Sequence, residues 1–124
     1  MGFPEKDWWF FRLEERGASE TALSPESWAA ADHAVKVTLR HLRLKAGDRI
    51  VLRTLFTVVL DRKAWADTGR VPKTLGALGT ELRHAVDLAR LYSDDFSEHA
   101  SLVARAVYRA ASLGSQDSAD NVEQ

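Results

Sequence analysis

Residues 24–42, SPESWAAADHAVKVTLRHL, are the stretch that decides the fold class. Ser24 suits an N-cap because its hydroxyl accepts a hydrogen bond from the first turn, and Pro25 suits the first helical position, where no N–H is needed. Apolar side chains then recur at steps of three and four, on one face of a helix: Trp28, Ala31, Val35, Leu39 and Leu42. The stretch predicts an amphipathic helix that starts at Ser24 and ends near residues 45–47.

The same helical periodicity continues along the chain, and no segment alternates with the period of a strand. We predict helices over residues 4–16, 24–45, 48–65, 74–92 and 96–113. The predicted fold class is all-α, a compact bundle of four to five helices. Residues 1–114 should form a single helical-bundle domain. Residues 115–124 form a polar, acidic tail that we expect to be disordered on its own.

The sequence also predicts where these helices begin and end and which of their faces are buried. Asp48 is the expected N-cap of the third helix, Thr74 or Thr80 starts the fourth, and Gly114 ends the fifth. The third helix is apolar over most of its circumference, so we expect it to lie centrally among its neighbours. The inner face expected for the fifth helix consists of Phe96, Ala100, Val103, Ala106, Val107 and Ala110.

Composition limits the class of protein. The chain has 124 residues, of which 45% are hydrophobic and 28% charged, as in ordinary globular domains. It has no cysteine, which excludes disulfides and thiolate chemistry and fits a reducing cytoplasm, the compartment we expect. The N-terminus does not look like a secretory signal, and the apolar runs are shorter than the roughly 20 residues that span a bilayer. We therefore expect no membrane partner.

Charge is distributed unevenly although the formal net charge of the whole chain is only -1. Residues 1–32 and 74–124 each carry a net charge of -4, whereas residues 33–73 carry +7. The cations of this central part are Lys36, Arg40, Arg43, Lys45, Arg49, Arg53, Arg62, Lys63, Arg70 and Lys73. A cluster with few acids favours contact with a phosphate backbone over sequence reading. The alternative is that these cations only keep the surface soluble.

The stretch DWWFF near the N-terminus supplies a second candidate surface. Four consecutive aromatic residues, Trp8, Trp9, Phe10 and Phe11, cannot all face inward from one helix. We predict that they contribute to a protein interface, where such side chains concentrate. The alternative is a helix clamped between two neighbours in the same domain.

No catalytic or cofactor-binding signature is present. The chain lacks the glycine-containing nucleophile and phosphate-binding motifs. Glu81 and His84 have the spacing that di-iron bundles use, but no second such pair faces them. We therefore expect no catalytic residue, no metal site and no cofactor, and predict that the protein is not an enzyme.

Two regions carry a resemblance to a known family. Residues 49–60, RIVLRTLFTVVL, form an apolar helix with an arginine-containing start, and LRHAVDLARL and FSEHASLVARAVYRA form a closing helix pair across an acidic turn. Over roughly residues 49–110 the chain resembles the small helical subunit of class 1 CRISPR effector (Cascade-like) complexes. The resemblance implies a non-catalytic bundle that stacks along an RNA-guided ribonucleoprotein. It also implies basic side chains that face the guide RNA–target duplex or a displaced single strand.

Together these observations predict a non-catalytic subunit of a nucleic-acid-containing complex. Its expected partners are the RNA or DNA backbone and other subunits of a ribonucleoprotein. Opposite charges in different parts of the chain favour head-to-tail self-association. The first alternative is a phage packaging subunit of the small-terminase kind, or a regulatory DNA-binding helical subunit. The second alternative is a protein–protein adaptor.

Overall fold

Five helices build the part of the molecule that the computed structural model describes, which is residues 20–123, with side chains for residues 20–114. They are α1 (Pro25–His41), α2 (Ala46–Val59), α3 (Arg62–Thr68), α4 (Leu75–Arg90) and α5 (Asp94–Glu123). Within these residues there is no strand, only an isolated bridge between Ala22 and Thr74. The predicted all-α bundle is confirmed. The helix predicted over residues 4–16, with its aromatic run, lies outside the described residues.

The start of α1 is as predicted, and its end comes earlier. The Ser24 hydroxyl accepts from the Ser27 N–H at 3.1 Å, and the Ser27 hydroxyl accepts from the Ser24 N–H at 3.1 Å. This reciprocal pair satisfies two backbone donors at the helix start. The helix ends at His41, and Leu42 is already extended. The expected end near residues 45–47 was therefore too late.

The stretch predicted as one helix over residues 48–65 is two helices. Lys45, not Asp48, is the N-cap of α2, and Asp48 lies in its first turn. The chain leaves the helix at Leu60. The Asp61 carboxylate then accepts from the Ala64 N–H at 3.1 Å and starts α3. Because aspartate is a strong N-cap, it stabilises a new helix start inside an apolar run that otherwise reads as continuous.

One local capping bond and two hydrogen bonds to the segment before α1 fix the start of α4. The Thr74 hydroxyl accepts from the Ala77 N–H at 3.2 Å, which settles the N-cap at Thr74 rather than Thr80. The Leu23 N–H donates to the Lys73 carbonyl at 3.0 Å, and the Leu75 N–H donates to the Thr21 carbonyl at 2.8 Å. The segment before α1 is thereby tied to the segment before α4.

The central helix is α5, which packs against both α1 and α4. Its buried face includes Phe96, Val103, Val107 and the fully buried Tyr108. Small residues lie between these large ones and allow the neighbouring helices to approach closely: Ser97, Ala100, Ser101, Ala104 and Ala111. The predicted inner face is thus largely confirmed, although Ala106 and Ala110 are only half-buried.

The expectation that the most apolar helix would be central is wrong. The helix α2 buries only Leu52, Phe56 and Val59, and it packs along one side against α1 and α4. Ile50, Val51 and Val58 remain exposed. Small side chains on α5 give it two close neighbours, and this packing outweighs total apolar content in choosing the helix at the centre.

Gly114 does not end α5, which continues to Glu123. A Cβ at residue 114 would lie 3.0 Å from the Glu26 carbonyl oxygen and 3.0 Å from the Ser27 Cα. Gly114 therefore sits where α5 crosses the first turn of α1 so closely that a side chain would force the backbone of α1 to shift. The disorder expected for residues 115–124 in isolation stays a prediction, as does the domain boundary at 114.

Candidate nucleic-acid interface

The cations predicted to contact phosphate lie along the hairpin formed by α1 and α2. Arg49, in the first turn of α2, reaches the last turn of α1, while Arg62, just after α2, lies over the Trp28 ring at the start of α1. The two helices therefore run antiparallel. Since α1 has 17 residues and a helix rises 1.5 Å per residue, the ends of the hairpin are about 25 Å apart. The ten cations are divided between these two ends and the helix faces that connect them.

The basic turn, which we define as Arg40, Arg43 and Lys45, lies where α1 passes into α2. All three side chains are exposed. None forms an ion pair with any residue of the described structure. Lys45 is the N-cap of α2 but provides no side-chain cap, so first-turn N–H groups of that helix lack a capping side chain. The result is a concentration of positive charge at one corner of the molecule.

Arg49 has a structural role that the charge count did not reveal. Its guanidinium is half-buried and donates to the Leu39 carbonyl at 2.8 Å and to the Leu42 carbonyl at 3.4 Å. Leu39 lies in the last turn of α1, where backbone acceptors have no partner within the helix, and Leu42 is the C-cap that follows it. Arg49 thus caps α1 and joins it to α2, which makes it a poor candidate for a primary phosphate contact.

Arg53 and Lys36 lie on the exposed surfaces of α2 and α1. Arg53, one helical turn after Arg49, is exposed and makes no ion pair within residues 20–114. Lys36 forms an i,i+4 pair with Asp32 at 3.4 Å. An exposed pair of this kind contributes only about 0.3–0.5 kcal/mol, so it weakens but does not remove the attraction of Lys36 for an anion.

The remaining cations lie at or near the opposite end of the hairpin. The Arg62 guanidinium stacks over Trp28 with its central carbon 5.5 Å from the ring centroid. Lys73 follows in the segment that bonds to Leu23, and Lys63 and Arg70 are also exposed. This second group does not extend the basic turn continuously, because the length of α1 separates the two.

Acidic residues lie close to one side of the basic turn. A hollow of about 640 Å³ between this turn and the start of α5 is lined by Arg43 and Lys45, and also by Asp48, Asp95 and His99. Arg40 and Arg53 do not line it. A phosphate backbone is therefore better placed against Arg40 and Arg53, which lie outside the hollow, than inside it.

The other candidates considered from the sequence do not assemble into a site. His84 and Glu81 pair at 3.6 Å on the surface of α4. Among the described residues no group of three His, Asp or Glu side chains is arranged to hold a metal ion. No helix in this part of the chain combines the length and apolar character needed to cross a membrane.

Sequence reasoning missed an apolar groove between α2 and α4. It has a volume of about 600 Å³, and none of the described residues that line it is charged. The residues are Ile50, Val51, Thr54, Leu55, Val58, Leu88, Leu91 and Tyr92. The sequence does indicate this groove, because α2 is apolar over most of its circumference. That pattern predicted a buried central helix, whereas part of the apolar surface is open.

Comparisons with known proteins add no family to these observations. The likeness to small CRISPR effector subunits therefore stays a prediction from residues 49–110. No family model matches the sequence, and no curated protein and no solved structure matches it.

Proposed function

We propose that the protein is a non-catalytic subunit that binds the backbone of a nucleic acid through the α1–α2 hairpin. One observation carries the proposal. Four cations near one end and on adjoining faces of this hairpin are exposed and make no ion pair within the described residues: Arg40, Arg43, Lys45 and Arg53. Such an arrangement attracts a polyanion through phosphate contacts rather than through base edges.

The structure changes which residues carry the proposal. Arg49 is engaged with backbone carbonyls, and Lys36 has a carboxylate neighbour. Arg62, Lys63, Arg70 and Lys73 form a separate group that reaches the same strand only if it extends about 25 Å along α1. The primary contacts are therefore the basic turn and Arg53, with the second group as an extension on longer nucleic acids.

The resemblance over residues 49–110 supports a more specific form of the proposal. In this form the protein is the small subunit of an RNA-guided CRISPR effector ribonucleoprotein and contacts the guide–target duplex or the displaced strand. Co-expression with the genes that flank its own tests this form. We expect the protein to co-purify with further subunits and a short RNA, and co-purification with packaging proteins would favour the phage alternative instead.

Salt titration of binding to a labelled duplex tests the backbone contact directly. Four phosphate contacts give a slope of about -3.6 in the logarithm of affinity against the logarithm of salt. Between roughly 50 and 200 mM salt, affinity should therefore fall about 100-fold. Affinity should differ little between duplexes of unrelated sequence.

A pair of charge reversals supplies the matched control. Arg40→Glu with Arg43→Glu should at least halve the salt slope and weaken binding, because two contacts become repulsive. Arg105→Glu with Arg109→Glu changes the charge equally on α5 and should leave the slope unchanged. Equal effects of both pairs, or binding that does not depend on salt, would show that the basic turn is not the contact surface.

A further inference from the structure

The apolar groove between α2 and α4 leaves large side chains in water. Six of its lining residues are between 38% and 82% exposed, with Leu91 and Tyr92 the most exposed. They are Ile50, Val51, Val58, Leu88, Leu91 and Tyr92. Taking roughly 150–200 Å² for a fully exposed side chain of this size, they leave on the order of 600 Å² of mainly apolar surface open to solvent. A patch at the upper end of what monomers expose indicates an interaction surface.

We propose that this groove is the interface of a two-fold symmetric dimer of the chain. The exposed area is enough for such a dimer. Burying about 600 Å² on each copy removes roughly 1,200 Å² in total, which is at the lower end of the range for specific interfaces. Burial of an apolar centre within a polar rim is also the usual construction of a homodimer interface.

The chemistry of the groove favours a second copy over a charged partner. None of its eight lining residues in the described part of the chain is charged, so two identical faces meet there without placing like charges against each other. None of the ten central cations lines it either. The groove itself therefore holds none of the proposed phosphate contacts, although Arg43 and Lys45 line the neighbouring hollow that shares Val51 and Tyr92 with it.

Exposure differs along the groove. Leu91 and Tyr92, at the C-terminal end of α4, are 82% and 73% exposed, whereas Val51 is 38% exposed and Leu55 is half-buried. In a two-fold arrangement each copy places its most exposed residues against the less exposed ones of the other, which is the reciprocity that an isologous interface requires. Val51 and Tyr92 also line a second hollow, so the N-terminal half of α2 lies beside the C-terminal end of α4.

Sedimentation of the full chain over a range of concentrations tests the dimer. We expect a reversible monomer–dimer equilibrium that persists at high salt, since apolar contacts are not screened. Leu91→Glu should weaken dimerisation at least ten-fold, because it buries a carboxylate against its own copy. Leu113→Glu, the same substitution at an exposed position of α5 outside the groove, should leave dimerisation unchanged. A monomer at all concentrations would overturn the proposal and leave the groove to another segment of the chain or a different protein.

Single cysteines locate the interface, because the natural chain has none. Thr54→Cys places a thiol in the groove, and Thr57→Cys places one on the same helix outside the groove. A short bismaleimide should join two copies through residue 54 and not through residue 57. Equal cross-linking at both positions, stronger cross-linking at residue 57, or a dimer disrupted by Leu113→Glu alone would place the interface elsewhere. Higher oligomers would contradict a closed two-fold dimer.

Discussion

Arg49 and Arg53 differ by one turn of α2, yet the structure gives them different roles. Arg49→Met keeps most of the aliphatic stem and removes the guanidinium that donates to the Leu39 and Leu42 carbonyls at 2.8 and 3.4 Å. A hydrogen bond from a charged donor contributes about 1.5–3 kcal/mol net. The second contact is long and the side chain is only half-buried, so we expect a total loss near 1–2 kcal/mol.

For a domain of this size, a loss of 1 kcal/mol lowers the melting temperature by roughly 3–6 °C. Thermal and urea unfolding followed by circular dichroism measure the stability, and salt titration of duplex binding measures the phosphate contacts. Arg49→Met should lower stability and leave the salt slope nearly unchanged. At 25 °C the variant remains folded, so its binding is measurable.

Arg53→Met is the matched control for this prediction. Its side chain is exposed and makes no ion pair in the described structure, so stability should change by less than about 0.5 kcal/mol. The salt slope should fall by about 0.9, the contribution of one phosphate contact. If Arg49→Met left stability intact and reduced the slope as much as Arg53→Met, the capping role of Arg49 would be refuted.

Two further predictions concern helix packing and capping. Gly114→Ala should destabilise the protein by about 1–3 kcal/mol in urea unfolding, because the new Cβ meets the first turn of α1. Gly47→Ala is the control and should instead stabilise the protein by about 0.4–1 kcal/mol, because nothing lies within 4 Å of the new Cβ. A change of stability with the same sign in both variants would contradict the close crossing at Gly114. Ser24→Ala should cost about 0.5–2 kcal/mol by removing the acceptor for the Ser27 N–H, and unchanged stability would show that the cap is dispensable.

Local signals in the sequence were reliable where a side chain bonds to its own backbone neighbourhood. Ser24 and Pro25 located the start of α1, and Thr74 was the correct one of the two positions predicted for the start of α4. Asp61 was missed because the apolar periodicity on both sides of it resembles one helix. Its capping bond and the Trp65 indole, which donates to the Val59 carbonyl at 2.8 Å, divide the stretch.

The candidate interface was predictable only in part. The sequence identified the cations, because charge is a property of single residues. It did not show that Arg49 reaches ten residues back to Leu39, or that Arg62 lies on Trp28, since both contacts depend on how α1 and α2 are folded together. The division of the cations into the basic turn and a second group at the other end of the hairpin therefore emerged only from the structure.

The sequence by itself determined that this protein is a helical bundle with a cationic middle, because helix periodicity, capping residues and charge act over a few neighbouring positions. Only the tertiary structure decided which helix is central and which surface is left open. Small residues on α5 let two helices approach it, and Gly114 permits a close crossing with α1. The more apolar α2 is consequently placed at the side, where its unburied face and α4 form the groove. Close packing depends on the shapes of distant segments together, and no single stretch of sequence contains that information.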